Sequence, residues 1–264
     1  MQTGFVDGTL FVMTDDLGTQ PTPLPPPPWQ RAPQRAARRR RDPITRDVIV
    51  ETALRILDSE GLDGLSMRRI AEELDTGAAS LYWHVGSKDG LLDLVFDHVI
   101  GEQHIPDPDP AHWQEQLKQV ARTQRETILR HRDIVAVSLG RIPMGPNALR
   151  YAERVLAILR AGGVPDELAV AGHHLLIAMV NGFTLDETTD ARPADGEASQ
   201  PPSPDAARDY IASLPPAHFP NLTAVAGHFA DADPDRRFEL LLDLFVDGLA
   251  RRAASAEPGP AGSG

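Results

Sequence analysis

Between residues 66 and 84 the chain sets two short helix-forming stretches around a tight turn, and this limits its folding options more than any other feature. Ser66 stands at an N-cap position, Ile70, Ala71 and Leu74 follow at helical spacing, and Asp75, Thr76 and Gly77 interrupt the pattern before a second stretch covering 78–84. A side-chain oxygen at the N-cap accepts one of the backbone N–H groups that a helix start leaves unpaired. Two short helices joined by a glycine-containing turn form a helix-turn-helix unit.

The flanking sequence repeats this pattern of capped apolar stripes. Upstream, Thr45 is a plausible N-cap, Asp47 sits in the first turn, and Ile49, Ala53, Ile56 and Leu57 recur at helical spacing until Gly61 ends the run. Downstream, Ser87 and Asp89 open a fourth helix that carries Leu91, Leu92, Val95, Phe96, Val99 and Ile100 and is expected to reach His104, with Gly101 as a hinge and the proline-rich stretch 106–110 as its stop. Further helical patterns cover 113–131, 146–161 and 165–187, and the last begins at Asp233, Pro234 and Asp235. The stretch 188–204 reads as a loop. The predicted fold class is all-α.

Residues 1–42 carry a proline run at 21–28 and then Arg31, Arg35, Arg38, Arg39, Arg40 and Arg41, with no helical or strand period, which predicts a disordered Pro/Arg-rich arm. Residues 254–264 read as a flexible tail. The 264 residues suffice for one or two domains, and 41% hydrophobic content is enough for a real core. Without cysteine there are no disulfides and no cysteine-ligated zinc. The most apolar stretch, 168–185, is interrupted by His173, His174 and Asn181, and the N-terminus lacks a basic start followed by an apolar run, so a cytoplasmic protein with no membrane partner is expected.

The net charge of −12 argues against nucleic acid as a partner, because phosphate contacts are made by Lys and Arg. Distribution overrides the total: the arginine arm is strongly cationic, although residues 42–104 set only Arg46, Arg55, Arg68, Arg69 and Lys88 against thirteen acids. In the second stretch of the helix-turn-helix, Ala78, Ala79 and Ser80 are small enough for close backbone approach to a major groove. Tyr82 and Lys88 reach phosphates, while Arg68 and Arg69 have the fork geometry that reads guanine, Arg68 being the best single base reader. On pattern alone, a short helix with Leu81, Tyr82 and Trp83 equally well packs an N-terminal bundle.

The order of residues is more specific. Residues 64–74 (Gly-Leu-Ser-Met-Arg-Arg-Ile-Ala-Glu-Glu-Leu) and 80–93 (Ser-Leu-Tyr-Trp-His-Val-Gly-Ser-Lys-Asp-Gly-Leu-Leu-Asp) resemble the DNA-binding signature of the TetR family of repressors. The resemblance implies a reading domain over 43–104 whose DNA contacts come from Ser66, Arg68, Arg69, Ala78, Ala79, Ser80, Tyr82, Trp83, His84 and Lys88. It continues through Trp113-Gln114, the His-Arg-Asp run 131–133, Gly182 to Leu185, and Asn221-Leu222 to Asp231, which are similar to the C-terminal domain of the tetracycline-repressor branch. That implies a ligand-binding and dimerisation domain over 105–253, with the homodimer formed by the helices at 165–187 and 235–252.

Within that resemblance His104 matches a pocket histidine that contacts drug, whereas Ser138 stands where the branch uses a histidine to hold a drug-chelated magnesium ion. A serine hydroxyl is a poor metal ligand, so neither a metal nor a cofactor is expected. Val120 and Gln124 occupy the positions of an amide and an aromatic drug contact, and Arg141, Met144 and Asn181 complete the candidate pocket. The expected function is a DNA-binding repressor released from operator DNA by a bulky, partly aromatic small-molecule effector. The competing readings are a helical protein that sequesters a small molecule and a metal-dependent enzyme; the latter lacks a His-Glu-x-x-His motif, a phosphate loop and a nucleophile elbow.

Overall fold

The computed structural model describes residues 2–6, 9–13, 22–23, 44–190, 203–229 and 233–255. By its contacts the chain divides into two compact units, Met1–Asn181 and Gly182–Gly264. This division falls within a helix.

The first unit begins with a small antiparallel sheet, where no strand was expected. Strand β1 (Gln2–Val6) pairs with β2 (Thr9–Met13) from Gln2↔Met13 to Val6↔Thr9, and β3 (Thr22–Pro23) pairs with β2. The signal was local: Asp7-Gly8 lies between segments rich in Thr, Phe and Val, and such a dipeptide between β-forming runs favours a two-residue hairpin. The arginine block lies outside the described residues.

Four helices follow. Helix α1 (Arg46–Gly64) starts where Thr45 Oγ1 accepts the Val48 N–H at 3.3 Å and breaks at Gly61, where φ is 78°. Helix α2 (Met67–Glu73) is capped by Ser66, whose Oγ accepts the Arg69 N–H at 3.1 Å. Helix α3 (Ala78–Val85) ends at Gly86, and α4 (Lys88–Gly101) is capped by Ser87 through the Gly90 N–H at 2.9 Å. Ile49, Leu57, Ile70, Leu81 and Leu91 are fully buried among them. Each such side chain contributes about 1.5–3 kcal/mol relative to leaving it in water, which offsets the cost of ordering helices too short to persist alone. Helix α4 stops at Gly101, short of His104, and the expected hinge at Gly101 is a close approach to the Asn147 side chain.

Beyond α4 come α5 (Trp113–Arg130), α6 (Ile134–Ser138), α7 (Pro146–Ala161) and α8 (Asp166–Asp190). Helix α4 touches α1 and α3 and also α5, α6 and α7. The link to α7 runs through Asp97, a buried carboxylate in the middle of α4 that accepts the N–H groups of Ala148 at 2.9 Å and Asn147 at 3.3 Å. Helix α7 has no cap of its own; Asp97 supplies one from another helix, with its charge at the positive helix end. Gly145 permits the approach, since a Cβ there would collide with the carboxylate. Burial pushes the Asp97 carboxyl above the usual range, opposed by these backbone hydrogen bonds.

A second tie joins α5 to α1. His131 places Nδ1 3.1 Å from Asp58 Oδ2 and Nε2 3.1 Å from Glu102 Oε2, and Asp133, at φ 59°, accepts the Leu62 N–H at 2.9 Å. In the second unit, α9 (Pro204–Ser213) and α10 (Pro220–Val225) pack against each other and against the 3-10 turn Ala226–His228, and α11 (Pro234–Ser255) follows. There the Phe183 and Phe238 rings lie 5.1 Å apart, with Arg237 over Phe183.

Replacing Asp97 with alanine removes a buried cap and leaves two N–H groups without their acceptor. Asp97→Ala should lower the unfolding free energy by about 2 kcal/mol in guanidinium titration, and an unchanged midpoint would show that the contact carries no stability.

Candidate nucleic-acid interface and effector site

The reading face is built around α3. Leu81 and Val85 turn inward and are buried, so Tyr82 and Trp83 point outward, with 47% and 57% of their surfaces exposed. Ala79, Lys88 and Ser66 are exposed, and Ala78, Ser80 and His84 are half-buried. The main-chain oxygen of His84 accepts from Arg46 Nε at 3.1 Å, tying the end of α3 to α1. Burial, and then Arg46, lower the pKa of the His84 ring.

The two arginines of α2 differ in what they are free to do. The Arg68 side chain is 87% exposed and, among the described residues, pairs with Glu72, one turn along the same helix, at 2.8 Å. An exposed pair of this kind is weak in water, so Arg68 is available to another acceptor. Arg69 bridges Glu60 of α1 and Glu73 of its own helix, both at 2.8 Å, and braces the two helices. Glu60, Glu72 and Glu73 also make this edge acidic, which opposes phosphate.

Of the seven pocket candidates, three come together. Val120 and Gln124 are buried one turn apart on α5, and Gln124 Nε2 donates to Asn181 Oδ1 of α8 at 3.0 Å. Two residues not singled out as candidates complete the cluster. Tyr151 of α7 is buried and donates its hydroxyl to Gln124 Oε1 at 2.8 Å, and its ring lies 6.1 Å from that of His173 on α8. The buried His173 Nε2 has no hydrogen-bond partner among the described residues. Burial holds the Tyr151 hydroxyl well above the usual phenol range, so it remains a donor. Burial, and secondarily His174, lower the His173 pKa. The cluster is therefore polar without net charge.

The other four candidates lie elsewhere. His104 is exposed in the connection after α4. Ser138 donates to Val135 O at 2.7 Å in its own helix, and Met144 is exposed. Arg141 turns toward α4, donating to Asp93 Oδ1 at 2.6 Å and to Asp89 O and Oδ1 at 3.1 Å each. Among the described residues no group of His, Asp and Glu is arranged to hold a metal ion.

Comparison with known proteins matches both halves of this arrangement. Residues 49–95 match the family described as bacterial regulatory proteins, tetR family, and residues 105–253 match the tetracyclin repressor-like, C-terminal domain. The chain is 37% identical over 153 residues to the HTH-type transcriptional repressor DrrR1 of Streptomyces coeruleorubidus, a match covering 58% of this chain and 55% of that protein. It thus spans about half the length of that relative. The tetracycline repressor protein class A from transposon 1721 of Escherichia coli is 30% identical over 209 residues, covering 78% of this chain and 90% of that one. Among solved structures, ActR from Streptomyces coelicolor in complex with actinorhodin shares 45% identity with a TM-score of 0.75, covering 82% of this chain and 100% of the other.

The neutral cluster has a pH consequence. An unfolded histidine takes up its proton near pH 6.5, whereas His173 in the fold resists it, so the unfolded state binds more protons below about 6.5 and stability falls there. His173→Gln should flatten the loss of stability between about pH 7 and pH 5 without abolishing it, since His84 contributes in the same direction. Denaturation midpoints across that range measure this, and parallel curves for the two proteins would contradict it.

Proposed function

The chain belongs to the TetR family of bacterial regulatory proteins, and on that premise we propose that it is a cytoplasmic, homodimeric transcriptional repressor that leaves its operator when a small molecule occupies the C-terminal part. The carrying observation is the helix-turn-helix with Tyr82 and Trp83 outward, in the same compact unit as the polar cluster around Gln124. Residues 43–104 form the reading domain and 105–253 the effector-binding and dimerisation domain. Arg68 reads a base, while Tyr82, Lys88 and the N-terminal end of α3 contact phosphate and groove floor.

The effector is a neutral or weakly polar, bulky molecule held by Gln124, Asn181, Tyr151 and His173 against apolar surface. Hydrogen bonds from uncharged, buried groups orient such a ligand without the desolvation cost of an ion. The relative ActR is solved in complex with actinorhodin, which makes that compound the first probe to titrate.

A partner copy covers what the single chain leaves bare. On α8, Ala171, Leu175 and Ala178 are exposed along one face, and on α11 Leu240 and Leu244 are exposed one turn apart. Helix α8 is long and apolar enough to cross a membrane by length and composition; facing its own core on one side and a second copy on the other accounts for the same composition. Two α3 helices then meet successive major grooves if they sit about 34–36 Å apart.

A mobility-shift titration with the DNA upstream of the protein's own gene tests this and separates it from a sequestering protein, which would leave that DNA unshifted. Arg68→Ala combined with Tyr82→Ala should weaken operator binding by at least about 30-fold while leaving a folded dimer, since a good bidentate base contact alone is worth about 1–3 kcal/mol. Arg31 to Arg41 supplies phosphate contacts that the acidic reading domain lacks. A chain starting at Asp42 should therefore show a shallower salt dependence, by about 0.9 in log–log slope for each phosphate no longer neutralised; equal slopes would make the arm a bystander.

A further inference from the structure

We propose that Arg141 is a positioning residue for the reading helix: it clamps the first turns of α4 to the segment following α6, and thereby sets the angle at which α3 is presented to DNA. This rests on the operator-binding reading above, and takes Arg141 out of the effector pocket in which the sequence placed it.

The geometry is that of a clamp with two jaws. On one side Arg141 Nε donates to the carbonyl of Val137 in α6 at 2.8 Å. On the other, Nη1 donates to Asp93 Oδ1 at 2.6 Å and to the main-chain oxygen of Asp89 at 3.1 Å, and Nη2 donates to Asp89 Oδ1 at 3.1 Å. Its side chain is only 18% exposed although both carboxylates are solvent-accessible. A planar guanidinium serves acceptors on two elements at once; a single ammonium on a flexible stem does not. Asp89 and Asp93 are one helical turn apart on the same face, where like charges repel, and the cation between them removes that repulsion.

What Arg141 holds is coupled directly to α3. Only Gly86 and Ser87 separate α3 from α4, and both are fixed by main-chain bonds, Gly86 N to Tyr82 O and Ser87 N to Val85 O, each at 2.9 Å. Leu81 and Val85 of α3 are buried, and α3 packs against α4 directly. On the other side of the clamp, Gly140 has φ 72°, a backbone state that side chains with a Cβ rarely adopt, and the turn sends Arg141 inward while Leu139, Ile142 and Met144 remain exposed. The segment is pinned to α4 again at Gly145, under the Asp97 carboxylate. A displacement of residues 139–144 therefore pulls on the start of α4.

In a two-fold dimer a small rotation of each α3 alters the spacing of the two reading heads, and groove spacing tolerates little change. The test uses the full-length chain and the operator that the wild type selects from DNA upstream of its own gene, together with versions whose half-sites are moved one base pair closer or further apart. Arg141→Met should bind the native spacing about 10-fold more weakly, within the range of typical coupling between sites, and should discriminate less between spacings. Arg141→Lys should resemble it. Asp93→Asn should weaken binding less, and the Arg141→Met, Asp93→Asn double variant should be no worse than Arg141→Met alone, as expected for partners in one interaction. Gly140→Ala leaves the guanidinium in place and strains the turn, and should shift the spacing profile in the same direction.

Wild-type affinity and spacing profile in Arg141→Met would overturn the proposal while leaving the operator-binding reading intact. Lower thermal stability with an unchanged spacing profile would assign Arg141 to packing alone and also overturn it. If Arg141→Met does not fold, additive effects of Arg141→Lys and Asp93→Asn would do the same. A wild-type chain that ignores all upstream DNA removes the operator-binding reading, and this inference with it.

Discussion

The buried carboxylate of Asp97 at the start of α7 is the interaction on which the rest of the first unit depends. Helix α4 carries the reading helix at one end and touches α1 and α3 as well as α5, α6 and α7. To this packing Asp97 adds a specific polar contact, taking over the cap that α7 lacks. Burying that carboxylate is costly, as its raised pKa records, and the cost is met by two N–H donors and the positive helix end. Gly145 follows from it, because only a residue without a Cβ fits beneath the carboxylate.

Around this fixed point the two proposed interfaces have opposite chemistry. The DNA-facing edge is acidic and its arginines are largely spoken for: Arg69 is committed to Glu60 and Glu73, and Arg68 rests on Glu72. A reading head of this kind makes specific contacts without strong non-specific attraction, since the latter scales with the number of phosphates neutralised. The cluster of Gln124, Tyr151, Asn181 and His173 is polar but uncharged, because burial keeps the phenol protonated and lowers the imidazole pKa. Ser138 donates its hydroxyl to the Val135 carbonyl of its own helix.

Local features were legible to within about three residues. Thr45, Ser66 and Ser87 were read as caps and each accepts the expected N–H, and α5, α7, α8 and α11 fall where the apolar stripes placed them. The misses have local causes. Helix α6 is too short to show a period, α9 begins with Ser203 and Pro204 beside a stretch that reads as loop, and the Asp7-Gly8 hairpin signal was overshadowed by the proline run that follows. Of the candidate effector residues, Val120, Gln124 and Asn181 converge, whereas Tyr151 and His173 carry no mark in sequence, since their roles arise only where α5, α7 and α8 meet.

Residue order alone dictates the helix boundaries, the helix-turn-helix and the apolar faces that had to be covered, because capping, helical periodicity and turn chemistry act over a few neighbouring residues. Packing in three dimensions decides that Arg69 braces two helices while Arg68 pairs along its own, that Asp97 caps a helix fifty residues away, and that Arg141 reaches Asp89 and Asp93 of α4. These assignments depend on which charged groups are brought within hydrogen-bond reach as the helices pack. Distances of that kind follow from how side chains of many helices fill one core, and no local pattern of residues encodes them.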